Sequence, residues 1–340
     1  MKLNMKRTVA QATRIRNKLL EHDVKEEPII KPGAFDLAKA VYLLSPLIGV
    51  EFEDFSFKNR KARTIQGKIC YPKKKGIFHL IPVDAGLRTG LTFELPRLAV
   101  YLAKIGYITF SVNSQAEAMG EKGLEYIDAM YYLRQKYNFI SNKSATLGIS
   151  FGGAAVALKI ATEQIGVKDH GIKCAVAAAA YTNLFYMWKY AKDYVKENDP
   201  LAYGCLFSYN NIDPNSYVPK DHRVQVLFDY LKYTLSINMN PETNSNAIPI
   251  YKDASPINFV RNIQVPTYLI HGIDDQIVPV NQSFELYRKM KSLDKDVNLN
   301  IVWGEGMHAP IAEMFTELPD FVGLVQTIAI ISKILKNHLG

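Results

Sequence analysis

The chain has little cysteine: three in 340 residues, Cys70, Cys174 and Cys205. An odd number at no metal-ligand spacing excludes a disulfide framework and a cysteine-built metal centre. It reads as reduced core thiols in a cytoplasmic protein. Long apolar runs are missing as well. None reaches the roughly 18 consecutive apolar residues of a membrane-spanning helix, and the longest early one, Leu37–Val50, is broken by Lys39 and Pro46. The first residues hold no apolar leader core and no small-residue cleavage site, so no secretory leader is expected. No P-loop, zinc spacing, RNA-binding signature, internal repeat or low-complexity tract occurs. The net charge of +8 is therefore no argument for a nucleic-acid partner, and neither a metal nor an organic cofactor is implied.

What is present is ordinary globular composition, 48% hydrophobic and 22% charged, enough for a large core. Much of the positive charge sits early: Lys2, Lys6, Arg7, Arg14, Arg16 and Lys18 precede the first acid. Such a basic helix suits an anionic membrane surface or partner. Its apolar face (Leu3, Val9, Leu19, Leu20) is thin, which favours a solvated helix packed on the main domain. Residues 1–50 read as a helical N-terminal extension broken at Lys31–Asp36.

The period then changes. Phe55 and Phe57, then Ile65, Ile69 and Tyr71, alternate with polar residues about a Lys58–Lys61 turn, which predicts an antiparallel hairpin. Ile77–Val83 is continuously apolar, as a strand buried on both faces requires. Strand and helix patterns alternate from there to the end, predicting a mostly parallel central sheet flanked by helices. One interruption, residues 181–253, is rich in tyrosine, asparagine and proline. It carries two helical patches, Leu184–Asn198 and His222–Ser236. It is too long for a loop and is expected to be an inserted helical cap on a core made of residues 51–180 and 254–340. Tyr181, Phe185, Tyr186, Trp188, Tyr190, Tyr194, Tyr203 and Phe207 fill it with large side chains. Most are expected to form the cap's own core and its seal on the sheet, so no substrate-binding residue is assigned among them.

Gly148-Ile149-Ser150-Phe151-Gly152 follows an apolar strand and opens a helix. A nucleophilic serine at a sharp strand-to-helix turn sits in a strained backbone, its hydroxyl raised off the sheet. Side chains two residues to either side collide, which calls for glycine there. The following helix directs free N–H groups and a positive dipole at the same point. A tight turn that merely packs helix on sheet gives the same five letters, so partners decide. A serine hydroxyl needs a base, and the base an orienting acid. In α/β-hydrolase order the acid precedes the histidine. Asp275 lies just past the strand pattern Thr267–His271, and His308 in the loop after the next strand. Ligands bind at the carboxyl ends of open parallel sheets. Asp274 is the adjacent alternative, and strand-end spacing favours Asp275. His271 ends a buried strand and reads as structural, and His79 as a satisfied core histidine. His22, His170, His222 and His338 have no supporting context.

Over roughly residues 50–340 the sequence resembles the α/β-hydrolase superfamily. Asp253–Ser292 is similar to the prolyl-oligopeptidase, Xaa-Pro-peptidase and related esterase branch, with its Ser-Pro, Pro, His-Gly, Asp, Val-Pro and Gln spacing. The resemblance implies the α/β-hydrolase fold, Ser150 as nucleophile, Asp275 as acid and His308 as base. It implies an oxyanion hole made by the Phe151 N–H and one N–H from Pro82–Gly90, Leu87 first and Gly86 second. Two departures stand out: Asp84-Ala85-Gly86 where relatives often carry His-Gly, and Ser111–Gly120 where many carry an aspartate and an Arg-Gly turn. Arg88 either binds a substrate carboxylate or pins its own loop. The expected activity is ester cleavage of carboxylesterase type through an acyl-enzyme, on a small-molecule ester. Small-peptide hydrolysis and acyl transfer use the same triad. A non-catalytic ligand-binding protein on a hydrolase scaffold is the reading from another class.

Overall fold

A computed structural model describes residues 49–84, 86, 97–114, 121–163, 171–207, 212–308 and 318–340. The N-terminal extension expected over residues 1–50 lies, apart from Gly49 and Val50, outside the described residues. So does the basic run within it.

Two strands, β1 (Val50–Lys58) and β2 (Thr64–Pro72), form the hairpin, with Phe55 paired to Gly67 and Phe57 to Ile65. Alternation of βα units follows: β3 (Phe78–Asp84), α1 (Arg97–Lys104), β4 (Ile108–Val112), α2 (Lys122–Lys136), β5 (Ile140–Ile149), α3 (Gly153–Leu158, wound as a π-helix) and β6 (Ile172–Ala178). Four helices come next, α4 (Leu184–Asn198), α5 (Pro200–Leu206), α6 (His222–Ser236) and α7 (Ala247–Ala254). The short α8 (Pro256–Phe259) leads to β7 (Thr267–Gly272), α9 (Asn281–Lys291), β8 (Val297–Val302) and α10 (Leu318–Leu339). The strands form one eight-stranded sheet in the order β1-β2-β4-β3-β5-β6-β7-β8. The β1–β2 and β2–β4 pairs are antiparallel and all others parallel.

The two-residue period of the strands divides the core between the sheet's faces. On one face Leu80, Phe110, Ala177 and Leu299 pack with Tyr126 and Met130 of α2 and Phe284 of α9. On the other, Ile81, Val83, Leu147 and Val176 pack with Leu102 of α1 and Ile331 and Leu335 of α10. Cys70, Cys174 and Cys205 are buried and unpaired, and burial pushes the Cys70 and Cys174 thiols up to about 12. Tyr71 on β2 is only half-buried.

Local capping fixes where the inserted helices begin. Asn183 accepts the N–H groups of Phe185 and Tyr186, Asp199 that of Ala202 with Pro200 at the first helical position, and Asp221 those of Arg223 and Val224. Each satisfies donors that have no partner inside the helix. A third apolar cluster joins these helices to the sheet edge: Trp188, Leu227, Phe228 and Tyr251 pack with Phe151, next to Ser150, and with Ile277 and Val278, just after Asp275. No helix among the described residues is long and apolar enough to cross a membrane.

Candidate active site

Ser150, Asp275 and His308 all leave the same edge of the sheet. Ile149 at the end of β5 pairs with Ala178, Ala178 with Ile270 of β7, and Gly272 with Val302 of β8. Ser150 directly follows β5, and Asp275 and His308 lie in the loops after β7 and β8.

Ser150 adopts a left-handed backbone, φ +56°, a conformation that costs a residue with a Cβ of order 1–3 kcal/mol. Two backbone bonds hold it there: its N–H donates to Ala178 O at 2.8 Å, and its carbonyl accepts from Gly153 N at 3.0 Å. The turn is tight enough to demand glycine on both sides. A Cβ at Gly148 would stand 2.1 Å from Gly152 O, and one at Gly152 would stand 2.4 Å from Asp84 O. Phe151 is the first helical residue after the turn, so its N–H belongs to the set without an acceptor one turn back. Its ring packs on Tyr181 and Tyr230, at 4.7 and 5.9 Å between centroids.

Asp275 is buried and fully ligated. Its Oδ1 accepts the N–H groups of Ile277 and Val278, both at 2.9 Å. Its Oδ2 lies 2.6 Å from His308 Nδ1 and 3.2 Å from His271 Nε2. Burial alone would raise the Asp275 pKa. His308 and His271 beside it reverse this and hold the carboxyl well below the usual carboxylate range. A carboxylate only accepts, so Nδ1 of His308 carries a proton. In the neutral ring Nε2 is then an acceptor. That Nε2 is buried and has no hydrogen-bond partner among the described residues. Asp275 and His308 are thus in contact. The Ser150 hydroxyl makes no hydrogen bond to His308. Asp274 instead anchors the chain, its N–H donating to Gly304 O at 2.9 Å.

His271 reads as structural from sequence, yet it touches the candidate acid. Nδ1 is 2.7 Å from Ser283 Oγ, and Nε2 is 2.7 Å from Val278 O. A carbonyl accepts, so Nε2 bears the proton and points between Val278 O and Asp275. The four-residue spacing of His271 and Asp275 across a strand end is the signal that was available. His79 has a partner in Ser141 Oγ at 2.6 Å, and His338 one in the Tyr268 hydroxyl at 2.7 Å.

Of the oxyanion-hole candidates, Leu87 lies outside the described residues, as does Arg88. Gly86 is described, and its N–H donates to Asp84 Oδ1 at 2.9 Å. That donor is committed, so the second choice for the hole falls away. The inserted helices reach both loops that carry the acid and the histidine. Tyr190 OH donates to Gln276 O at 2.6 Å and Tyr194 OH to Gln276 Oε1 at 2.9 Å. Arg223 Nε is 2.5 Å from Glu305 Oε1, three residues before His308. None of these contacts was legible in the sequence. Among the described residues no group of three or more histidine, cysteine, aspartate or glutamate side chains is placed to hold a metal ion.

One stability consequence follows from the carboxyl alone. A group whose folded pKa is depressed adds stability above its unfolded pKa, about 4 for aspartate, and loses it as pH falls toward the folded value. Asp275→Asn is therefore less stable than wild type at pH 5, and the gap narrows by pH 3. Urea unfolding of both proteins at the two pH values checks this; a gap that is constant or widens contradicts the assignment of a buried, ionised Asp275.

The BD-FAE family model matches residues 231–290, a stretch running from α6 through Asp275 into α9. No curated protein matches the chain by sequence. Among solved structures, the Pyrococcus horikoshii acylaminoacyl peptidase is similar at 15% identity with a TM-score of 0.61, covering 88% of this chain and 43% of its own. A Pyrococcus furiosus esterase is similar at 17% identity with a TM-score of 0.54, covering 85% of this chain and 94% of its own. A puromycin-hydrolyzing peptidase of Mycobacterium tuberculosis is similar at 14% identity with a TM-score of 0.51, covering 75% and 36%. The chain thus spans about two-fifths of the length of the acylaminoacyl peptidase it matches. Sheet order, crossover pattern and these likenesses agree: the chain has the α/β-hydrolase fold.

Proposed function

We propose that the protein is a serine hydrolase of carboxylesterase type, acting through Ser150, His308 and Asp275. The observation that carries this reading is the Asp275–His308 pair at 2.6 Å, which leaves a buried acceptor nitrogen on the same sheet edge as a strained serine. Ser150 Oγ attacks the ester carbonyl carbon while His308 Nε2 takes its proton. Asp275 holds the ring and stabilises its positive form. The tetrahedral oxyanion accepts the Phe151 N–H and a second N–H assigned to Leu87. His308 returns the proton to the departing alkoxide, leaving an acyl-serine. Water, deprotonated by His308, then attacks the acyl carbon, and the acid and free Ser150 are released. No cofactor is needed. The helices of residues 181–253 act as a cap packed on Phe151, Ile277 and Val278, and the substrate is a small ester.

The ester assignment draws on the Pyrococcus furiosus esterase, whose chain is matched over 94% of its length. Cleavage of short peptides is the second reading, favoured by the higher TM-score of the acylaminoacyl peptidase, 0.61. A panel of p-nitrophenyl esters of graded acyl length beside N-acyl-amino-acid p-nitroanilides separates them. The esters are expected to give the larger kcat/KM. An anilide preferred over every ester reverses the order, and a folded protein that cleaves neither overturns both in favour of a binding protein.

A further inference from the structure

We propose that Lys122 is a positioning residue that, through Asp84, holds the end of β3 and the turn at Gly86 against the nucleophile Ser150. The inference rests on the hydrolase reading above and adds a device that the triad does not contain.

Asp84 ends β3 and is 4% exposed. Its Oδ2 takes Lys122 Nζ at 2.8 Å and the Tyr126 hydroxyl at 2.8 Å. Its Oδ1 takes the Gly86 N–H at 2.9 Å. Lys122 Nζ also donates to Gly86 O at 3.3 Å. Both polar backbone groups of Gly86 are thereby tied to one buried ion pair, at a φ of +118° that glycine alone adopts freely. The turn lies against the nucleophile: a Cβ built on Gly86 would stand 3.4 Å from Ser150 Cβ and 3.7 Å from Ser150 Oγ. The same carboxylate fills the space that Gly152 leaves, since a Cβ there would stand 2.5 Å from Asp84 Oδ1. One side chain thus locks the nucleophile turn and the facing loop to each other.

Lys122 sits where local rules disfavour it. It is 7% exposed, and it opens α2, where the helix dipole opposes a cation. What holds it there is the Asp84 carboxylate and the Gly86 carbonyl, the groups that shape the turn beside Ser150. The gain here is preorganisation. Gly86 and the end of β3 are fixed beside Ser150 before reaction, and a displacement there of about 1 Å that moved the nucleophile would cost about 100-fold in rate.

Two variants test this. Lys122→Met removes the cation. The double variant Asp84→Asn/Lys122→Met keeps an acceptor for Gly86 and strands no buried charge, which protects the fold. In both, kcat for an ester is expected to fall about 100-fold, the cost of misplacing a reacting group by about 1 Å, with KM little changed. The rate of fluorophosphonate labelling of Ser150 falls by the same factor. Tyr126→Phe, which removes one hydrogen bond to Asp84 and keeps the ion pair, gives a smaller fall of the same kind. Folded variants with wild-type kcat and labelling rate overturn the inference, even where their melting temperature drops, because Lys122 then serves the fold alone. A folded wild type that fails to label overturns the hydrolase reading and this inference together.

Discussion

Ser150→Ala lowers ester turnover by about a million-fold, the loss typical of removing the nucleophile from an assembled triad, and leaves the fold as stable as wild type. The stability half of this expectation comes from geometry. The Ser150 hydroxyl makes no hydrogen bond to the described residues, so alanine deletes an atom that supports nothing. The strained φ of +56° costs serine and alanine alike, since both carry a Cβ. The bonds that impose it, Ser150 N–H to Ala178 O and Gly153 N–H to Ser150 O, are backbone bonds and survive the change. Steady-state hydrolysis of a p-nitrophenyl ester alongside a thermal melt reads both halves. A residual rate within tenfold of wild type places the nucleophile elsewhere.

Gly152→Ala is expected to inactivate by the opposite route, leaving every reacting atom in place and spoiling where they stand. The new methyl meets Asp84 O at 2.4 Å and Asp84 Oδ1 at 2.5 Å. The first is a backbone atom at the end of a central strand and cannot swing away. Either the turn opens or the end of β3 shifts. Both move Ser150 relative to His308, and misplacement by about 1 Å costs about 100-fold in rate. Overpacking of this kind lowers stability by about 1–3 kcal/mol. Gly148→Ala, whose Cβ meets Gly152 O at 2.1 Å, behaves the same way. Urea unfolding and kcat measured together test the pair. Wild-type values for both quantities in either variant contradict the tight turn.

What sequence could and could not reveal divides along the range of the interactions. Strand periodicity and helix caps are local. Phe55, Phe57, Ile65 and Ile69 show their buried parity in the sequence, and α4 and α6 begin where Asn183 and Asp221 cap them. The short helices α5 and α7 carry too few turns to show a period. Asp275 and His308 were legible because position past a strand end is a local property, and the fold brings them to 2.6 Å. Contacts across the chain were not legible. Asp84 and Lys122 are far apart in sequence, and only the packing of α2 beside the end of β3 joins them. Gly86 failed as a donor because a side chain two residues earlier folds back onto its N–H. The Arg223–Glu305 and Tyr190–Gln276 contacts depend on how the inserted helices dock, which no spacing encodes.

Fluorophosphonate labelling probes the activation of Ser150 by His308 without any knowledge of the substrate. With that activation, folded wild type labels, labelling maps to Ser150, and neither Ser150→Ala nor His308→Ala labels. Folded wild type that does not label, or Ser150→Ala that labels as wild type does, contradicts it.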